Sequence, residues 1–257
     1  MKASVLCVYN EGSQPYTSLI GAKGFSLLVE TDGERTLFGT GMRGRYLRHN
    51  MEHLEIDPES IDRVVISHGH ADHTGGLSVF LGMRTSPLPV YAPASAWKSG
   101  GFLSKNGIKL SEESFRKAEK NELNGWTELS RHLSVSPPMD SPHASESFLV
   151  LSGGTRPIVI SGCSHCGAEK VLEAVKKKFG QYPKAFIGGL HIDKAPKQSV
   201  YDTAEFFKST ECQDLRLNHC TGSNGALRLR EVLSLEGVKE FVAGDRLEYD
   251  LGLSEDL

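Results

Sequence analysis

Three histidines and an aspartate fall within six positions of the run Ser67-His68-Gly69-His70-Ala71-Asp72-His73-Thr74-Gly75-Gly76. Neutral imidazole suits zinc, iron or copper, and a carboxylate adds a hard anionic donor. Imidazoles crowded this closely repel one another when protonated, and a metal is the usual reason to gather them. His68 and His70 are two apart, so an extended segment presents both on one side and a helix does not. They can share one ion. Asp72 and His73 follow as the chain turns and can reach a second. The plain alternative is a polar turn that happens to hold three of the chain's ten histidines, and the spacing disfavours it.

The elements around this run explain how it would be held. Ile61-Asp62-Arg63-Val64-Val65-Ile66 has the β-branched content of a buried strand, so the cluster falls at a strand end. Three later histidines repeat that placement. His165 follows Pro157-Ile158-Val159-Ile160, His191 follows Ala185-Phe186-Ile187-Gly188-Gly189, and His219 follows Asp214-Leu215-Arg216-Leu217. Ligands in open α/β sheets sit beyond the carboxyl ends of strands. Four such ends meeting in one cleft gather six imidazoles and a carboxylate, about what two divalent ions need. The assignment that follows puts His68, His70 and His165 on one ion and Asp72, His73 and His219 on the other. His191 is left as an alternative ligand, or as a residue that contacts substrate or moves a proton; Asp72 and His191 are the catalytic candidates. Any one of the three later histidines alone would as readily be a hydrogen-bonded structural residue. Cys163-Ser164-His165-Cys166 is also a Cys-x-x-Cys, but it lacks the helix-start context of a redox dithiol.

The remaining pattern is α/β. Residues 2–9 read as a strand. Residues 24–31 and 35–38 flank Asp32-Gly33 as a hairpin. A helix fits 44–54, one helical turn fits 57–60, and further helices fit 76–81, 94–100, 168–179, 199–210 and 224–234. Strands fit 89–92, 147–152, 157–160, 185–187 and 214–217, with a last one over 240–244. Residues 100–125 read as a polar surface excursion with a helix near 111–119, and the chain to 145 as irregular. Arg43, Arg45, Arg48, Lys194 and Lys197 read as solvated charge, with contact to a substrate phosphate as the sharper alternative.

His-x-His-x-Asp-His after a hydrophobic strand, followed by Thr-Gly-Gly, resembles the signature of the metallo-β-lactamase fold superfamily. That resemblance implies a four-layer αββα sandwich, α/β (α+β) in class, formed as a single domain over 1–257. Three further motifs, Gly162-Cys163-Ser164-His165-x-Gly167, Gly188-Gly189-Leu190-His191 and His219-Cys220-Thr221-Gly222, make the chain similar to a branch that includes an archaeal synthase. That enzyme joins a dihydropterin to a ribose-phosphate-bearing aminobenzene, with pyrophosphate leaving. The resemblance implies a metal-dependent enzyme for an anionic, phosphate-bearing small molecule. It holds two divalent ions, zinc first, with iron, manganese or magnesium as alternatives. A dimetal hydrolase of a phosphodiester, lactone or thioester uses the same ligands, and a di-iron redox protein is a further class. Much of the superfamily has a bridging aspartate where this chain has Gly162-Cys163, so Cys163 stands there as a thiolate ligand or in the surrounding shell. With one anionic ligand fewer, two ions stay strongly positive, which favours an anionic substrate. At Gly39 the branch usually has an aspartate that supports the ligand loop, and this chain departs from it.

Composition bounds the rest. The chain has 257 residues, 39% hydrophobic and 24% charged, with a formal net charge of −3. These values are ordinary for a globular protein and argue against a nucleic-acid partner bound through a basic surface. No apolar run approaches the ~18 residues of a membrane span. Met1–Asn10 is too short in its apolar part for a signal peptide. Five scattered cysteines favour a reducing compartment, hence a cytoplasmic enzyme. Cys7 and Cys212 read as buried thiols.

Overall fold

The computed structural model describes residues 1–98 and 106–252. In its first half, β1 (Lys2–Tyr9), β2 (Ser26–Thr31) and β3 (Glu34–Phe38) form an antiparallel meander. Helix α1 (Gly44–His53) and a 3₁₀ turn at Pro58–Ser60 then lead to β4 (Arg63–Val65). Short helices α2 (Ala71–Thr74) and α3 (Leu77–Gly82) follow, then β5 (Leu88–Pro93), α4 (Ala94–Trp97), α5 (Glu112–Lys117) and β6 (Ala118–Leu123). The second half runs through β7 (Thr127–Ser130), β8 (Leu133–Val135), a small ribbon of β9 (Met139–Asp140) and β10 (Ser145–Glu146), β11 (Leu149–Leu151) and β12 (Ile158–Ser161). It continues with α6 (Ala168–Phe179), β13 (Ala185–Gly188), α7 (Lys197–Ser209), β14 (Asp214–Leu217), a 3₁₀ turn at His219–Thr221, α8 (Gly222–Val232), β15 (Val238–Glu240) and β16 (Arg246–Asp250).

Two seven-stranded sheets result, ordered β16-β1-β2-β3-β4-β5-β6 and β15-β14-β13-β12-β11-β8-β7. Strand periodicity explains why they stack. On β1, Val5 and Cys7 face the other sheet, while Leu6 and Val8 face helices α1 and α3 through Leu47, Met51, Leu77 and Phe80. On the second sheet, Leu149, Ile158, Ile160 and Ile187 meet the first sheet. Val150, Val159, Phe186 and Leu215 meet α6, α7 and α8. The central strands bury both faces, so their sequence lacks the polar alternation of a one-sided sheet. On α6, Val171, Leu172 and Val175 are buried, each worth about 1.5–3 kcal/mol relative to exposure. The four layers are helix, sheet, sheet, helix, as the sequence implied.

Strands β3 to β6 and β12 to β15 run parallel, so the histidine-bearing loops after β4, β12, β13 and β14 leave through the same kind of strand end. Three expectations need correction. The helix near 111–119 stops at Lys117, and Ala118–Leu123 pairs with β5 as an edge strand. Its polar sequence reflects an edge exposed to water, with Lys120 and Glu122 paired at 2.7 Å. The stretch to 145 is not irregular, because β7 and β8 close the far edge of the second sheet. The last strand is not 240–244. Gly244 takes a left-handed φ of 99° and Asp245 accepts from the Val242 amide at 2.9 Å, so the chain turns there and returns as β16 to pair with β1. The expected helix over 94–100 appears as α4, and Ser99 and Gly100 lie outside the described residues. Among the described residues, no helix is long and apolar enough to cross a membrane.

Candidate metal centre

Beyond β4 the chain passes through Ser67 and His68, both fully buried, and bends at His68 and Gly69. It then tightens into α2, where the His73 and Thr74 amides donate to the His70 carbonyl at 3.0 and 3.1 Å. Asp72 and His73 therefore sit on a helical turn, which alternation alone did not show. The first-half loops brace this turn. The Phe25 amide donates to the Asp72 carbonyl at 3.1 Å. The Thr40 amide and hydroxyl both donate to the His73 carbonyl, at 2.8 and 2.9 Å.

Side-chain donors gather in two clusters, His68/His70/His165 and Asp72/His73/His219, and within each the donor atoms lie within 4.8 Å of one another. A third grouping, His68/His73/Cys163, spans both. The tightest approaches are His68 Nε2 to His70 Nδ1 at 3.1 Å, His219 Nε2 to Asp72 Oδ2 at 3.0 Å and His73 Nε2 to Cys163 Sγ at 3.2 Å. His191 belongs to neither triad. Its ring stands 4.6 Å from that of His165, and its backbone holds a left-handed φ of 50°. Ser164 is also left-handed, at 56°. Such conformations in residues other than glycine carry strain that functional loops often hold.

Four of the donors are held toward the forms that a cation takes, neutral imidazole and ionised carboxylate. Burial, with help from neighbouring imidazoles, pushes His68 well below the usual histidine range and His73 down to about 4; burial lowers His70 as well. Burial would raise the Asp72 carboxyl, but the His219 hydrogen bond and nearby imidazoles outweigh it and hold it below the ordinary range. Imidazole and carboxylate donors converging in this way are a set that fits a divalent cation. Cys163 is pushed up by its neighbour Cys220 and by burial, and Cys166 is raised to about 11 by burial. Neither thiol has the low pKa of a redox dithiol.

Sequence reasoning missed Glu146. It is 3% exposed and accepts four hydrogen bonds, from the amides of Cys163 (2.6 Å), Ser164 (3.2 Å) and His165 (3.0 Å) and from His165 Nδ1 (2.7 Å). It also lies 3.7 Å from His68 Nδ1. Burial would raise its carboxyl, yet His68 and His165 hold it well below the carboxylate range. The only signal was an acidic residue just before an apolar strand, which is too common to read. Asn218 and Asn10 were missed as well. Asn218 donates to the Gly162 carbonyl at 2.6 Å and accepts from the Cys220 amide at 3.2 Å, tying the loops after β12 and β14 together. Asn10 accepts from the His219 amide at 3.2 Å. Gly162 is required for close approach, because a Cβ there would meet Ser67 Oγ at 2.4 Å.

The clusters open into a cleft of about 770 Å³ lined by His70, Asp72, Cys163, His165, His191 and His219, with Lys23 and Lys194 on its wall. Of the five basic residues singled out in the sequence, Lys194 alone lines this cleft. Arg45 pairs with the Tyr46 hydroxyl at 2.8 Å, and the Lys197 amine stands 5.5 Å from the Tyr201 ring. His143, also missed, stands beside the mouth with its ring 5.7 Å from that of His191. Cys7 and Cys212 are buried, as expected.

Residues 20–203 match the family model of the metallo-beta-lactamase superfamily. The chain is 27% identical over 237 residues to an uncharacterized protein of Methanocaldococcus jannaschii, covering 84% of this chain and 91% of that one. It is 26% identical over 250 residues to the 7,8-dihydropterin-6-methyl-4-(β-D-ribofuranosyl)-aminobenzene-5′-phosphate synthase of the same organism, covering 82% and 83%. Among solved structures, it is similar to a metal-dependent hydrolase of the beta-lactamase superfamily, with a TM-score of 0.78 and 23% identity over 96% of this chain and 99% of the other.

Proposed function

Because the chain belongs to the metallo-β-lactamase superfamily, whose fold implies a divalent-metal site, we propose that it is an enzyme built around two divalent cations that acts on a phosphate-bearing small molecule. His68, His70 and His165 hold one cation, and Asp72, His73 and His219 the other. The observation that carries the reading is the convergence of two compact donor clusters from separate strand ends. Zinc is the proposed metal, since five imidazoles and a nearby thiol outnumber the single carboxylate in these clusters. Cys163, spanning the two clusters, is the candidate for a shared ligand.

Bound divalent cations supply Lewis acidity toward a phosphoryl oxygen and lower the pKa of water to about 7. The chain's own residues do the rest. Asp72 contributes negative charge and fixes His219. Glu146 fixes the His165 ring and the backbone of its loop. His191, outside both triads and at the cleft wall, contacts the substrate or carries a proton to or from its reacting group. Lys23 and Lys194 attract the anionic end. The substrate class draws support from the relative named as a phosphate-bearing pterin synthase and from the shortage of carboxylates at the centre. A small molecule suits the net charge of −3 better than a nucleic acid does. Five unpaired cysteines suit a reducing compartment such as the cytoplasm.

The test is elemental analysis of protein purified without added metal, followed by a metal-loaded screen. The screen includes a dihydropterin pyrophosphate with an aminobenzene riboside phosphate, phosphodiesters, lactones and thioesters. Formation of a carbon–nitrogen bond with release of pyrophosphate marks condensation; release of alcohol, thiol, hydroxy acid, phosphate or pyrophosphate without that bond marks hydrolysis. Turnover confined to uncharged lactones would overturn the phosphate assignment. Iron in place of zinc would favour the redox class.

A further inference from the structure

The two clusters differ in what stands behind their imidazoles. In the first, His165 Nδ1 donates to Glu146 at 2.7 Å. His68 Nδ1 lies 2.9 Å from Ser67 Oγ, with the Glu146 carboxylate 3.7 Å away to favour a proton there. Both rings are thereby set with the proton outward on Nδ1 and the Nε2 lone pair facing the cluster. In the second, His73 and His219 make their contacts with Nε2, to Cys163 and Asp72. Their Nδ1 atoms are buried with no hydrogen-bond partner among the described residues. The backbone explains the bare nitrogen on His73. The facing position is Gly39, where an added Cβ would come within 3.9 Å of His73 Nδ1 but also within 2.5 Å of the Phe25 carbonyl, on a φ of 72°. Gly39 therefore offers no side chain to accept a proton, where the related branch usually has an aspartate.

Resting on the two-cation reading, we propose that the cations bind in a fixed order of affinity, the His68/His70/His165 position holding its ion more tightly than the Asp72/His73/His219 position. An ion entering the first finds lone pairs already presented. An ion entering the second through Nε2 of both rings must drive each proton to an Nδ1 that no described residue accepts from. Outer partners of metal-bound histidines are each worth about 10–100-fold in metal affinity, and the second position lacks two. Carboxylate charge does not offset this difference. Asp72 is a direct donor, but Glu146 places a second carboxylate directly behind the first cluster. Cys163 groups with His68 of one position and His73 of the other, approaching His73 Nε2 to 3.2 Å.

The experiment is a zinc titration of metal-free protein against a chromogenic chelator, read as ions bound per chain and independent of turnover. The full-length protein is expected to bind two ions in two resolved steps at least 10-fold apart. His219→Ala removes the weaker step and His70→Ala the tighter. Ser67→Ala, a small change that keeps all six donors, weakens the tighter step about 10-fold and leaves the other unmoved. Two steps of equal affinity overturn the order while leaving the two-cation reading intact. So does a tighter step that disappears in His219→Ala, or a Ser67→Ala effect confined to the weaker step. Binding of fewer than two ions overturns the reading as well.

Discussion

The two halves of the molecule supply the same kind of donor by different means. The first half contributes His68, His70, Asp72 and His73 from one strand end and one helical turn, held by local hydrogen bonds and by backbone from the neighbouring hairpin. The second half contributes His165 and His219 singly, from the ends of β12 and β14, with His191 nearby from the end of β13. Apart from the Asn218 cap on the turn that carries His219, the support for those rings comes from distant residues. Polar side chains reaching across the fold supply it: Glu146 to the 163–165 loop, Asn218 to Gly162, and Asn10 to His219. A donor cluster written into one stretch of sequence survives on local geometry. An assembled one depends on buried polar groups that each satisfy several bonds at once.

The sharpest break in that comparison comes at Glu146. Glu146→Ala strands three amides and one imidazole inside the protein. It is expected to destabilise the metal-free protein by about 3–5 kcal/mol, measured by urea unfolding, and to lower zinc affinity. Glu146→Gln should recover part of the stability. A change below about 1 kcal/mol would show that the second half does not need its carboxylate.

Acid should act next most strongly, on both halves together. His73 is lowered to about 4 and His68 falls well below its usual range, so below pH ~6.5 the unfolded chain takes up protons that the folded chain refuses. Stability of the metal-free protein therefore falls as pH drops from about 6.5 towards 4, by roughly 3 kcal/mol for His73 alone. Glu146 and Asp72, both lowered, extend the loss into stronger acid. Thermal melts at pH 7.5, 5.5 and 4.5 read this directly, and a flat profile would contradict the buried neutral histidines.

Asn218→Ala loosens the bridge between two second-half loops, with an expected loss of about 1–3 kcal/mol. Thr40→Val, its first-half counterpart, removes only one of the two bonds to the His73 carbonyl. Its loss should stay near 1 kcal/mol, the smallest of the four effects. If Thr40→Val proved the more damaging of the pair, the contrast between local and assembled support would be inverted.

The same contrast explains what could be read in advance. The 67–76 motif, the strand before it, the first hairpin and helix α6 lie in contiguous sequence, so spacing and periodicity reveal them. That His165, His191 and His219 each follow an apolar strand was also legible, but strand position alone does not say which of them joins which cluster. Glu146 was illegible because its partners lie 17 to 19 residues away and only the fold brings them close. Strands β6 and β7 were misread because edge strands keep polar, water-facing residues that resemble loop composition, and β8 because its buried run is only three residues long. The final strand was misplaced because Phe241-Val242-Ala243 is apolar to pack a turn, not to extend a sheet.

The central claim is two cations between converging loops, and anomalous diffraction at the zinc absorption edge from crystals of the zinc-loaded protein tests it most directly. The account predicts two peaks, one in contact with His68, His70 and His165 and the other with Asp72, His73 and His219. Peaks only at surface residues, or none within reach of these six side chains, would contradict it.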